Sequence, residues 1–154
     1  MSYLDLKTLH LLGVVLFLGN IIVTALWKVA ADRTGEPRVV AFEQRTVNLA
    51  DLVFTAPGAA IILATSYAMA WQAGIDLTGP VWVRWGQAMF IGSGVIWVAV
   101  LIPTQIAQAR LARGFAEGGP IPDRYHRLNR RWLVWGLVAT LLPLANLWFM
   151  VAKP

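Results

Sequence analysis

The chain has 154 residues, 58% of them hydrophobic and only 14% charged, with a formal net charge of +5. That is roughly half the charged share usual for a soluble domain, and it points to one integral membrane domain over 1–154. The lack of cysteine excludes disulfides, iron–sulfur clusters, thiolate zinc sites and thioether-linked haem, and no nucleic-acid binding is expected because the basic residues border apolar runs.

Four apolar segments, at about 6–27, 49–73, 81–108 and 132–152, are each long enough to cross the hydrocarbon core of a bilayer. They predict an all-α fold, a four-helix transmembrane bundle with a short interfacial helix before the second span. The first segment follows Asp5 and Lys7 and is long enough to span, so no cleavable leader is expected. Within it His10, Gly13, Phe17, Asn20, Thr24 and Trp27 advance by threes and fours, placing them on one helical face. In lipid such a face turns toward neighbouring helices or a bound group. His10 is the only histidine within an apolar segment.

Thr34–Pro37 reads as a turn into a new helix with proline in its first turn. The stripe Val39, Phe42, Thr46 and Ala50 then gives the interfacial helix. Asp51, near the start of the second span, is expected to pair with Lys28 or Arg45. Pro57 is expected to kink that span by leaving the carbonyl of Val53 without its donor. Ala60, Ala64 and Ala68, with Ser66, Ala70 and Gly74, give a small-residue spacing suited to close helix packing.

The brief connection from Gln72 to Pro80 predicts an antiparallel hairpin of spans two and three. Trp71, Trp82 and Trp85 mark one membrane interface, where Arg84 can meet a lipid phosphate or a ligand's acidic group. Gln87, Gly94, Leu101 and Gln105 follow helical spacing, with Pro103 expected to kink the far end. Residues 109–131 are the most basic stretch, interrupted by Gly118–Pro122, and His126 there reads as a solvated side chain. Thr140, Pro143 and Asn146 break the apolar run of the last span.

Lys28, Arg33, Arg38 and Arg45 fall in the first connection and six arginines in the third, against one basic residue in each remaining extramembrane segment. The positive-inside rule then puts both termini on the non-cytoplasmic side of a bacterial cytoplasmic (inner) membrane, with the arginines facing anionic headgroups. His10, Met69, Met89 and Met150 fall near the outer ends of their spans. An imidazole is a usual axial ligand of haem b and a thioether can supply a second. The same His–Met mixture suits copper(I). A buried histidine bonded to a neighbouring helix and methionines filling packing gaps account for the same residues without a ligand.

Leu6-Lys7-Thr8-Leu9-His10-Leu11-Leu12-Gly13, Phe42–Thr46, Ala50-Asp51, Phe54–Gly58 and the closing Val151–Pro154 resemble an uncharacterised family of bacterial predicted integral membrane proteins. More distantly, that pattern looks like HemJ-type protoporphyrinogen oxidases and CopD-like copper-resistance membrane domains; Tyr125–Asn129 resembles the stretch before the last HemJ span. The resemblance implies haem b on His10. HemJ-type proteins carry Trp-x-His-x-Lys at the third span, where this chain has Trp82-Val83-Arg84-Trp85-Gly86, so the second histidine is missing and the oxidase activity does not carry over.

Two readings with a ligand follow. The first is a haem-b redox protein with His10 as axial ligand, contacts from Asn20, Thr24 and Arg84, and a quinone as electron partner. The second is copper handling by His10, Met69, Met89 and Met150. A third needs no ligand, only an accessory subunit whose faces pack against a second copy or the other chains of a membrane complex.

Overall fold

The computed structural model describes residues 1–153; Pro154, the last residue of the closing motif, lies outside them. Helix α1 (Tyr3–Thr34) opens on a reciprocal cap: the Ser2 hydroxyl accepts from the Asp5 amide at 3.2 Å and the Asp5 carboxylate from the Ser2 amide at 2.8 Å. It ends at Gly35, whose φ of +64° is cheap only without a Cβ. Pro37 then occupies the first turn of α2 (Pro37–Ala50).

α2 runs without a break into α3 (Ala56–Gln72) through a π turn at Asp51–Thr55. The third span repeats the device: α4 (Val81–Ile96) passes through a π turn at Trp97–Leu101 into α5 (Ile102–Phe115). Each π turn ends two residues before a proline, Pro57 or Pro103. The proline ring crowds the carbonyl four residues back and supplies no N–H to it. Widening the preceding turn relieves that clash, as in the Ala56 amide bonding to the Asp51 carbonyl five residues earlier. The kinks expected at the two prolines therefore take the form of widened turns. Helix α6 (Asp123–Ala152) closes the chain and passes through Pro143.

The four continuous helices Tyr3–Thr34, Pro37–Gln72, Val81–Phe115 and Asp123–Ala152 are each long and apolar enough to span a membrane. Tyr3–Thr34, at 32 residues, is about 48 Å long, well beyond a core of about 30 Å. The excess lies at the end bearing the basic connections, called here the basic end. There α1, α2, α5 and α6 close a ring around Val40, Ala41, Ala112, Phe115 and Tyr125. The segment expected as an interfacial helix is helical, but as a direct extension of the second span packed on α1 and α5.

Toward the end bearing the termini the ring divides. α3 packs chiefly on α1 and α4 on α6, while α3 and α4 meet through side chains, Tyr67 Oη donating to Gln87 Oε1 at 3.4 Å. The hairpin expected across 72–80 thus joins helices that pack chiefly on other partners. Phe17 and Phe90 bridge the two pairs with ring centroids 5.9 Å apart, and the buried Ser93 hydroxyl ties α4 to α6 by donating to the Ala139 carbonyl at 2.7 Å.

The tightest approach joins α1 to α3 at Gly13 and Gly58. A Cβ on Gly58 would lie 2.9 Å from the Phe17 amide nitrogen, and one on Gly13 3.1 Å from the Gly58 carbonyl oxygen. Of the small residues expected to pack closely along this span, Ala60 and Ala64 are exposed, Ala68 and Ala70 are half-buried, and Ser66 meets His10. On α1, Trp27 is 53% exposed and leaves the shared face, which continues inward through Lys28, 1% exposed.

Candidate functional site

One face of α1 carries three polar layers. His10, Asn20 and Lys28 are separated by about 15 and 12 Å of helix rise. His10, half-buried, meets α3. Its Nδ1 lies 3.0 Å from Thr65 Oγ1 and 3.4 Å from Ser66 Oγ. Both hydroxyls already donate their single proton backward along α3, Thr65 to the Ile61 carbonyl at 2.6 Å and Ser66 to the Ile62 carbonyl at 2.7 Å. Each oxygen is therefore placed to accept from His10, an arrangement that favours the tautomer protonated on Nδ1 and keeps Nε2 clear of both hydroxyls.

In the middle layer the Asp51 carboxyl accepts from three neutral donors. Asn20 Nδ2 lies 3.2 Å and Thr55 Oγ1 2.8 Å from its Oδ1, and Gln105 Nε2 lies 2.6 Å from its Oδ2. Asn20 Nδ2 also reaches Thr55 Oγ1 at 2.8 Å. The expected pairing of Asp51 with Lys28 or Arg45 is overturned. Lys28 points toward the basic end, 3.3 Å from Asp32 Oδ2 and 2.9 Å from Tyr125 Oη, and Arg45 is exposed. The π turn sets Asp51 against α1 and α5, while Lys28 is two turns away along α1.

The third layer is built on that ammonium. It lies 5.2 Å from the ring centre of Tyr125 and 5.6 Å from that of Trp132, distances at which a desolvated cation gains from the aromatic faces. Tyr125 Oη donates to Gln44 Oε1 at 3.2 Å.

The remaining sequence candidates are dispersed. Thr24 is buried and donates to the Asn20 carbonyl at 2.7 Å. With Asn20 it edges an open apolar groove of about 490 Å³ between α1 and α2, three turns from His10. Met69 lies one turn beyond Thr65 on the same face of α3. Met89 and Met150 belong to the α4–α6 pair, Met150 packing on Gly86. Arg84 is exposed near the start of α4. Among the described residues no three His, Asp or Glu side chains gather as a metal cage.

Reading the sequence alone missed Thr65, Ser66, Gln44 and the role of Tyr125. The signal for Gln44 was available: Gln44, Asn48, Asp51 and Thr55 follow spacings of four, three and four through both a polar and an apolar stretch. The hydroxyls of α3 gave none, because a serine or threonine bonding back to its own helix is unremarkable in an apolar span.

The sequence model of a family described as predicted integral membrane protein (DUF2269) matches residues 4–154, nearly the whole chain. The chain belongs to that family. With four helices able to span a bilayer, this family member is a multi-pass integral membrane protein. No curated protein and no solved structure matches it.

Proposed function

We propose that the protein is a haem-b-binding redox protein of the bacterial cytoplasmic membrane, with His10 Nε2 as axial ligand and the basic end toward the cytoplasm. The observation that supports this is the pair of hydroxyls at Nδ1. With Nδ1–H held by Thr65 and Ser66 at 3.0 and 3.4 Å, the ring is oriented and its Nε2 lone pair is left for iron, the arrangement metal-bound histidines use. The donor set fits one axial ligand from this chain. Haem b supplies a one-electron carrier when bound, and a quinone is the fitting membrane-soluble partner. Arg84, exposed near the terminal end, suits a propionate or a lipid phosphate.

The test is an absorption spectrum of the membrane-purified protein, oxidised and reduced. A Soret band that His10→Ala abolishes supports the reading. No band, or a band unchanged in His10→Ala, overturns it.

A second reading, copper(I) bound by His10 and a methionine, is favoured by the register of Met69, one turn from Thr65 on the face that meets His10. Metal analysis showing copper without porphyrin, lost in Met69→Leu, selects it. Neither chromophore nor metal, together with co-purifying chains, selects the accessory-subunit reading.

A further inference from the structure

We infer that Asp51 is a proton-binding site half-way along the bundle, which holds a carboxylic acid proton and exchanges it with water only at the basic end. The inference stands apart from haem at His10 and uses different residues.

The first argument is the company Asp51 keeps. Its hydrogen-bond partners, Asn20 on α1, Thr55 on its own π turn and Gln105 on α5, are all neutral. The titratable groups on the helices around it face elsewhere. Lys28 and Asp32 of α1 pair with each other two or more turns inward. Glu43 lies two turns back on α2, and Arg45, Arg110, Arg130 and Arg131 are exposed. An ionised carboxylate without a counter-charge inside a membrane bundle is costly, whereas the neutral acid requires only an acceptor for its proton.

The second argument is geometric. The contact between Asp51 Oδ2 and Gln105 is 2.6 Å, short for an amide N–H donor and normal for O–H···O. The two ends of a glutamine amide exchange places by rotation. With Gln105 turned, Asp51 Oδ2–H donates to Gln105 Oε1, while Oδ1 still accepts from Thr55 and Asn20. Both oxygens of the carboxyl are then satisfied.

The third argument is access. Gln44 Nε2 reaches Asn48 Oδ1 at 3.1 Å, Tyr125 Oη reaches Gln44 at 3.2 Å, and Asn48 lies one turn before Asp51 on the same helical face. Two further acceptors in this half, Glu43 Oε1 and Gln108 Oε1, are buried without a partner. Buried polar atoms without protein partners are ordinarily met by water. On the other side Phe17, Leu18 and Ile62 pack with Phe90 between Asp51 and His10, and offer a proton nothing to bind. The step is a simple exchange: the carboxylate takes a proton from water at the basic end and returns it by the same route.

The test is infrared spectroscopy of the full chain in lipid vesicles, which needs no chromophore. The expected result at neutral pH is a carboxylic C=O band that shifts in D₂O and is lost in Asp51→Asn. Gln105→Leu should retain that band at higher frequency, because the acid loses its acceptor, and this reads the site even if Asp51→Asn does not assemble. In vesicles oriented by protease cleavage of the 116–122 loop, the band should titrate when pH is changed on the side of that loop and not from the other. Absence of the band, a band insensitive to both variants, titration from the terminal side, or a band removed by sodium rather than by base would each overturn the proposal.

Discussion

Replacing Gly58 with alanine tests the α1–α3 contact at its narrowest point. The added methyl would sit 2.9 Å from the Phe17 amide nitrogen, 3.1 Å from the Gly13 carbonyl oxygen and 3.1 Å from Phe17 Cβ. Two of these neighbours are backbone, so no rotamer change relieves them, and ordinary contact requires the helices to part by roughly 0.5–1 Å. Overpacking of this kind costs about 1–3 kcal/mol. Alanine also favours the helix over glycine by about 0.5–1 kcal/mol, which would mask part of the loss. Gly136→Ala separates the two effects, because a Cβ there meets nothing within 4 Å. The difference between the two variants isolates the packing cost. Gly13→Ala should fall between them, since its 2.9 Å contact is to the Ile61 side chain, which can turn away. Equilibrium unfolding by SDS titration of detergent-solubilised protein, followed through its 8 tryptophans, gives all three values. If Gly58→Ala is as stable as Gly136→Ala, the Gly13–Gly58 contact does not hold these helices together.

Tyr125→Phe removes the hydroxyl that meets the Lys28 ammonium at 2.9 Å, and should cost about 1.5–3 kcal/mol in the same unfolding assay, as for a hydrogen bond to a charged group. A loss below about 0.5 kcal/mol would mean that water replaces the hydroxyl. Thr65→Val removes the main acceptor of the His10 ring proton, so imidazole nitrogen NMR should show the Nδ1-protonated tautomer giving way to a mixture; an unchanged spectrum would assign the ring to another partner. At the terminal end, the Thr78 amide and hydroxyl both donate to Asp76 at 2.8 Å. These bonds, the amide first, hold the carboxyl below the usual aspartate range. Its contribution to loop order is present above the unfolded-state pKa and lost as pH falls through the lower folded value. A carbon NMR titration of Asp76 should place its midpoint below that of a free aspartate, and Thr78→Ala should raise it.

The four spans were legible because hydropathy over about 20 residues is a strong signal. Their full lengths were not. Beyond the bilayer, α2, α5 and the start of α6 carry arginines on outer faces around a core of Val40, Ala112, Phe115 and Tyr125, a pattern that resembles a loop when only charge is counted. Lys28 was read as a loop cation for the same reason, although its stem and ammonium are enclosed by Tyr125 and Trp132. Asp51 was read as an acid near the start of its span, paired with a nearby cation, because its partner Gln105 lies 54 residues away, on α5 beyond the second π turn. His10 was visible as a lone polar residue, whereas its tautomer depends on hydroxyls of α3 and on where those hydroxyls send their own protons.

The π turn at Asp51–Thr55 also sets where the second span can change length. A widened turn is an α-helix holding one residue too many, so deleting Leu52, Val53 or Phe54 would restore regular winding and leave the residues beyond it on their faces, with the clash at Pro57 restored. A deletion from the regular stretch between Gly58 and Thr65 has no spare residue to absorb it. It would swing everything beyond by about 100° and draw it back about 1.5 Å. Thr65 and Ser66 would then leave His10, although neither had changed. The same deletion in the 73–80 connection removes only slack between helices that pack chiefly on other partners. Where most transmembrane proteins tolerate small changes of length by tilting, this helix holds one spare residue at its centre and none beyond it.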